Sequence, residues 1–287
     1  MIARVFPRRT EATPIDDLAF YGQPEMFIPE VSAVHVSVTF TYDLDKAYRL
    51  AEMWESVASV KIGGPATGMA GSDFTPGLYL KPGYVITSRG CNNRCWFCDV
   101  WRREGKIREL PITEGHDILD SNLLACSDEH LRKVFAMLER QPQRPRFTGG
   151  IDTKLLKEWH LEAFRSLKAK PIFYAYDTND DYEPLVEAAK SIKRVYGNVD
   201  RRIHNVYVLI GYKGDTYNLA EKRLGRVIEL GMTPYAMLYR DKDGKVDKEW
   251  CRFQRTWVRP QIMFAITPEP VVDVPGMDPR PGTWGYQ

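Results

Sequence analysis

The chain has 287 residues, 44% of them hydrophobic, and a formal net charge of +2. That length and apolar share support one sizeable core or two modest ones and exclude disorder throughout. The near-balanced charge excludes the strong positive field of a dedicated nucleic-acid binder, and a small or neutral substrate fits it equally well.

In chain order, the opening MIARVFPRRTEATPIDD is cut by Pro7 and Pro14 before any apolar run develops. No later segment approaches the ~18 uninterrupted apolar residues of a membrane span, so a cytoplasmic protein with no membrane partner is expected. AVHVSVTF (33 to 40) alternates as a strand, and DLDKAYRLAEMWESV (43 to 57) sets Leu44, Ala47, Tyr48, Ala51 and Trp54 on one helical face. VKIGGP (60 to 65) closes a small strand-helix-strand (βαβ) unit within residues 1–81. Proline and glycine punctuate GGPATGMAGSDFTPGLYLKPG, which reads as a linker.

From Tyr84 onward a short apolar run, a turn and an amphipathic helical stretch recur. The six runs are YVITSRG (84 to 90), DILDSN (117 to 122), PRFTGGID (145 to 152), PIFYAYD (171 to 177), VYVLIGY (206 to 212) and PYAMLYR (234 to 240). Helix candidates between them include DEHLRKVFAMLERQ, TKLLKEWHLEAFRSLK, DYEPLVEAAKSIKRVY and YNLAEKRLGRVIELG. This alternation predicts an α/β domain over residues 82–266, with a parallel sheet built from right-handed crossovers. Ligands of such folds bind beyond the carboxyl ends of the strands. Residues 267–287 are proline-rich and aperiodic and read as a tail.

Directly after the first run stands GCNNRCWFCD, with Cys91, Cys95 and Cys98 spaced C-x3-C-x2-C. Five cysteines in all, an odd number, and a reducing compartment argue against a disulfide framework. Three thiolates on one loop can ligate three irons of a [4Fe–4S] cubane and leave the fourth open to an amino nitrogen and a carboxylate oxygen. Structural zinc is the alternative, completed by Cys126, His116 or Cys251.

CNNRCWFC, with Phe97 immediately before its last cysteine, resembles the cluster motif of radical SAM enzymes. The surrounding TSRGCNNRCWFCD is similar to the subgroup whose members often carry an N-terminal cobalamin-binding domain. The resemblance spans roughly Pro82 to Phe264 and implies a partial (β/α)6 barrel. It also implies a cluster on Cys91, Cys95 and Cys98, S-adenosyl-L-methionine (SAM) as cofactor, and an electron donor such as flavodoxin or ferredoxin. By the same resemblance, polar groups after the second strand hold the SAM amino group, a place taken here by Asp120, Ser121 and Asn122. Asp177 would bond the ribose hydroxyls, and Ile210, Gly211 and Asp215 of VLIGYKGD would lie along the adenine. Each of these aspartates also fits a helix N-cap. Gly149 and Gly150 read as a tight turn, and His160 and His204 are assigned no chemistry.

The subclass is narrowed by what is missing. The first 90 residues hold no cysteine for a second cluster, and residues 1–81 lack an Asp-x-His-x-x-Gly motif, so the N-terminal unit reads as a truncated cobalamin-domain-like module without cobalamin. The expectation is a one-cluster radical SAM enzyme acting on an unidentified substrate. Two alternatives stand beside it: a nucleic-acid methylase using Cys251, and a non-catalytic cluster carrier. Stretches mixing Arg with aromatics, such as WRREGKIR (101 to 108) and RFQRTWVR (252 to 259), are interspersed with acids elsewhere and read as solvated faces.

Overall fold

A computed structural model describes residues 1–68, 78–241 and 243–258. The proline-rich tail and the middle of the linker lie outside the described residues. The alternating segment AVHVS forms a strand, but it has more company than the sequence suggests. Strands β1 (Ile2–Phe6), β2 (Ala19–Tyr21) and β3 (Ala33–Ser37) are followed by helix α1 (Leu44–Trp54) and strand β4 (Val60–Gly63). All pair in parallel, in the order β2-β1-β3-β4. The expected βαβ unit is therefore half of a four-stranded sheet. Strand β1 escaped the pattern because IARVF is buried along nearly its whole length and so lacks alternation, as central parallel strands do.

Helix α1 packs Ala47, Leu50, Ala51 and Trp54 onto Val34 and Val36. Tyr48, expected on that face, is exposed, and Leu50 takes its place. The i, i+3, i+4, i+7 series that is buried starts at Ala47 and not at Leu44, which turns the inner face away from Tyr48.

The second unit begins with β5 (Tyr84–Val85) and β6 (Ser88–Arg89) and continues through α2 (Val100–Arg103), β7 (Arg108–Glu109) and β8 (Asp117–Ile118). Then come α3 (Asp128–Glu139), β9 (Arg146–Ile151), α4 (Glu158–Ser166), β10 (Ile172–Tyr176), α5 (Tyr182–Tyr196), β11 (His204–Ile210), α6 (Tyr217–Glu229), β12 (Thr233–Leu238) and α7 (Lys248–Trp257). A six-stranded sheet runs β5-β8-β9-β10-β11-β12, every neighbouring pair parallel and every strand beside its predecessor in that list. All six expected runs contribute one strand each. The first run is split: Tyr84–Val85 joins the large sheet, while β6 turns away to pair antiparallel with β7.

Side-chain period two separates the sheet's faces. Ile172, Tyr174 and Tyr176 of β10 and Val206, Val208 and Ile210 of β11 are fully buried in the larger core, with Leu131, Leu161, Leu185 and Leu224 from the helices. Each such side chain contributes about 1.5–3 kcal/mol relative to exposure. The intervening residues line the other face, which stays open: Tyr235 is 38% and Met237 41% exposed. Phe173 and Tyr207 stack there with ring centroids 4.4 Å apart, and Tyr235 stands edge-on to both. The units meet where Arg146 bridges Glu11 (2.8 Å) and Asp117 (3.3 Å). No described helix is long and apolar enough to cross a membrane.

Candidate functional site

The cysteine loop is an excursion between β6 and β7, and its neck is tightly built. Cys91 N donates to Gly105 O at 3.0 Å, and Gly90 N donates to the buried carboxylate of Glu104 at 3.1 Å. Gly90 has φ +88, and a Cβ there would stand 2.3 Å from Lys106 O, so only glycine permits the strands to close this far. Within the loop Cys98 N donates to Cys95 O (3.3 Å), and Trp101 Nε1 reaches the same carbonyl (3.1 Å).

All three thiols are free and partly exposed. Burial, then Cys98 and Cys91, push the Cys95 thiol up to about 11, with Asp177 and Asp181 adding to the shift. Three thiolates and two carboxylates in such proximity repel one another, so a cation is what would let them ionise together. Among the described residues no three His, Cys, Asp or Glu side chains stand close enough to hold one metal ion. A cubane makes no such demand, because its cysteines sit on separate irons.

The candidates for a zinc site's fourth ligand lie elsewhere. His116 immediately precedes β8, at the amino end of the sheet, beside Asp117. Cys126 is buried in the core, where burial pushes its thiol up to about 11 and Ser88 and Asp120 are its polar neighbours. Cys251 lies within α7.

Segments beyond the carboxyl ends of the strands come to the loop. Asn122, buried after β8, places Nδ2 3.4 Å from Cys91 Sγ, and its Oδ1 has no partner among the described residues. Asp152, after β9, accepts from Asn93 of the loop (2.7 Å) and from Asn122 (3.5 Å). Trp96, half exposed, meets Phe97, Tyr212 and Tyr239 at ring-centroid distances of 5.4 to 5.7 Å, tying the loop to the ends of β11 and β12. Sequence reasoning assigned no role to Asn93, Asp152, Trp96, Tyr212 or Tyr239. The usable signal was position: Asp152, Tyr212 and Tyr239 all follow closely on a strand end.

The residues expected to touch SAM divide into two groups. Asn122 and Asp177 are available. Asp177, at the end of β10, accepts no hydrogen bond from the described residues, and burial, then Asp181, push its carboxyl up to about 7. Its neighbour Asp181 is engaged by Lys154 (2.6 Å) and by Thr178 N (2.8 Å) and Oγ1 (2.9 Å). Burial works against the Asp181 charge, but these bonds hold it below the usual carboxylate range.

Asp120, Ile210 and Gly211 form the second group, already committed within the fold. Asp120 is buried and accepts from Thr87 N (2.7 Å), Thr87 Oγ1 (2.7 Å) and Ser88 Oγ (2.6 Å), locking the approach to the cysteine loop. Ile210 points into the core, and its carbonyl accepts from Tyr239 N at 2.8 Å. Gly211 N donates to Asp215 (2.8 Å), which Arg223 also holds (2.7 Å).

The predicted tight turn at Gly149 and Gly150 lies inside β9. A Cβ at Gly149 would stand 2.0 Å from Asp120 O, so the glycine lets β9 press against the segment after β8.

No protein-family model matches the chain, and neither does any curated protein.

Proposed function

We propose that the protein is a radical SAM enzyme whose open six-stranded sheet is a partial (β/α)6 barrel. One observation carries this reading: three free thiols share one loop at the carboxyl edge of a parallel sheet whose strands lie in sequential order. The donor set suits the group, since soft thiolates prefer iron–sulfur chemistry and the buried Asn122 Oδ1 has no donor among the described residues, which the N–H of an amino group would supply.

Cys91, Cys95 and Cys98 would hold a [4Fe–4S] cluster, which when bound passes one electron to SAM and yields a 5′-deoxyadenosyl radical able to take hydrogen from substrate. The chain's own side chains bind and orient. Asn122 Oδ1 accepts from the amino group of SAM, and Asp177 accepts from the ribose hydroxyls. Trp96 with Tyr212 and Tyr239 shields the loop from water. Substrate lies over the open face above Tyr207, Tyr235 and Met237, where orientation of the reacting bond counts most.

The test is anaerobic reconstitution with iron and sulfide, then incubation with SAM and dithionite. About four irons per chain are expected, with 5′-deoxyadenosine and methionine formed slowly without substrate. The triple variant Cys91→Ala, Cys95→Ala, Cys98→Ala should stay colourless. A full cluster in that variant would falsify the assignment, and a stable cluster that never cleaves SAM would make the protein a carrier.

A further inference from the structure

Asp152 stands where β9 gives way to the short helical turn Thr153–Leu155, and its two oxygens have separate tasks. Oδ1 accepts from Lys154 N at 3.1 Å and so caps the turn, which fixes the side chain to its own backbone. Oδ2 faces the cysteine loop and accepts from Asn93 Nδ2 at 2.7 Å and from Asn122 Nδ2 at 3.5 Å. A carboxylate held this way is a fixed acceptor set between two amides.

An asparagine amide carries two N–H donors on its nitrogen and only lone pairs on its oxygen, and the two ends have nearly the same shape. Which end faces a ligand is therefore decided by the neighbours. Asn122 has one acceptor for each N–H: Cys91 Sγ at 3.4 Å and Asp152 Oδ2 at 3.5 Å. With the amide turned over, Oδ1 would face the Asp152 carboxylate, which has no proton to donate, and both N–H groups would lose these acceptors. Asp152 thus selects the orientation in which Oδ1 is the end left over. Asn122 is buried, and that oxygen has no donor among the described residues. A buried acceptor without a donor is costly and rare, and a ligand that brings N–H groups relieves it. The negative charge of Asp152 behind the amide favours a cationic donor over a neutral one.

We propose that Asp152 is a positioning residue, which turns Asn122 so that Oδ1 meets the ammonium group of a ligand beside Cys91. The identity of that ligand, SAM, rests on the radical SAM reading; the orientation of the amide does not.

Asp152→Asn tests this, because asparagine caps a turn as well as aspartate does and leaves the fold in place. With its oxygen kept on Lys154 N, its nitrogen faces those of Asn93 and Asn122, donor against donor. In the chain purified without iron and carrying isotope-labelled asparagine, the Asn122 side-chain amide should exchange its protons with deuterated water roughly tenfold faster than in the parent, at an unchanged melting temperature. In the reconstituted protein the iron content should stay the same and SAM should bind roughly tenfold more weakly. 5′-Methylthioadenosine, which keeps the nucleoside and sulfur of SAM but lacks the ammonium, should bind the variant as it binds the parent. Asn93→Ala cuts the tie to the loop and leaves Asn122 on Asp152, so it should keep most of the affinity for SAM. Unchanged exchange at Asn122, equal losses of SAM and 5′-methylthioadenosine, or an Asn93→Ala chain as impaired as Asp152→Asn would each overturn the proposal. A parent chain whose Asn122 amide is protected but which binds no SAM would instead remove the radical SAM reading.

Discussion

At the scale of single residues, two aspartates on the same edge of the sheet have opposite characters. Asp120 accepts three hydrogen bonds and is buried, so its carboxylate is part of the scaffold. Asp177 accepts none from the described residues and is pushed up to about 7, a carboxyl held where it gains nothing for the fold. Such a mismatch marks a ligand-facing group more often than a structural one. Asp120→Asn turns a donor toward Thr87 and Ser88 and should cost ~2–4 kcal/mol in urea unfolding. Asp177→Asn removes a carboxyl that burial disfavours, so it should raise the urea midpoint at pH 7 while weakening SAM binding to the reconstituted protein roughly tenfold to a hundredfold. Equal losses of stability in the two variants would show that Asp177 is scaffold as well. Both aspartates follow a strand in the sequence and look alike there. What separates them is a partner 33 positions away in the chain, Thr87, which periodicity does not reveal.

At the scale of elements, legibility followed length and alternation. Strands β9 to β12 and helices α3 to α6 lie on the expected runs because each is long enough to show its period. The two-residue strands β6 and β7 have no period to show, and α7, rich in Lys and Arg, follows a stretch in which the strand pattern has ended. The cysteine loop was legible from spacing alone. Its neck was not, since the need for glycine at position 90 comes from Lys106 across the hairpin. The same holds for Gly149, read as a turn and found inside a strand. Gly149→Ala should force β9 away from Asp120 O, with a loss of at least ~2 kcal/mol in the unfolding free energy. A variant as stable as the parent would mean that β9 and the segment after β8 can separate without cost.

For the whole molecule, charge state and packing are joined most clearly at two histidines that the site does not use. His204 is fully buried at the amino end of β11, its Nδ1 3.1 Å from Tyr174 Oη, and burial drives it down to about 4. His160, buried on α4, accepts from Lys157 N through Nδ1 at 3.1 Å and is likewise driven down to about 4, by burial and then by Lys157. Both are neutral in the folded chain over a range where the unfolded chain, with ordinary values near 6.5, takes up protons. Stability from these sites is therefore complete above about pH 6.5 and is lost as pH falls toward 4. Each histidine sets a slope of up to about 1.4 kcal/mol per pH unit in that window. Asp177 acts in the opposite sense, since a raised carboxyl binds its proton earlier in the folded chain, and Asp117 and Asp120, likewise raised by burial, act with it. The histidines therefore draw urea resistance down between about pH 6.5 and 4 while the three carboxyls draw it up. Exchanging both histidines for Asn, whose oxygen stands where Nδ1 stood, should lower stability at pH 7 and remove the downward pull, so that the protein without iron gains urea resistance relative to the parent as pH falls from about 6.5 to 4. A difference between variant and parent that stays constant across that range would show that these two histidines do not set the acid response of the six-stranded unit.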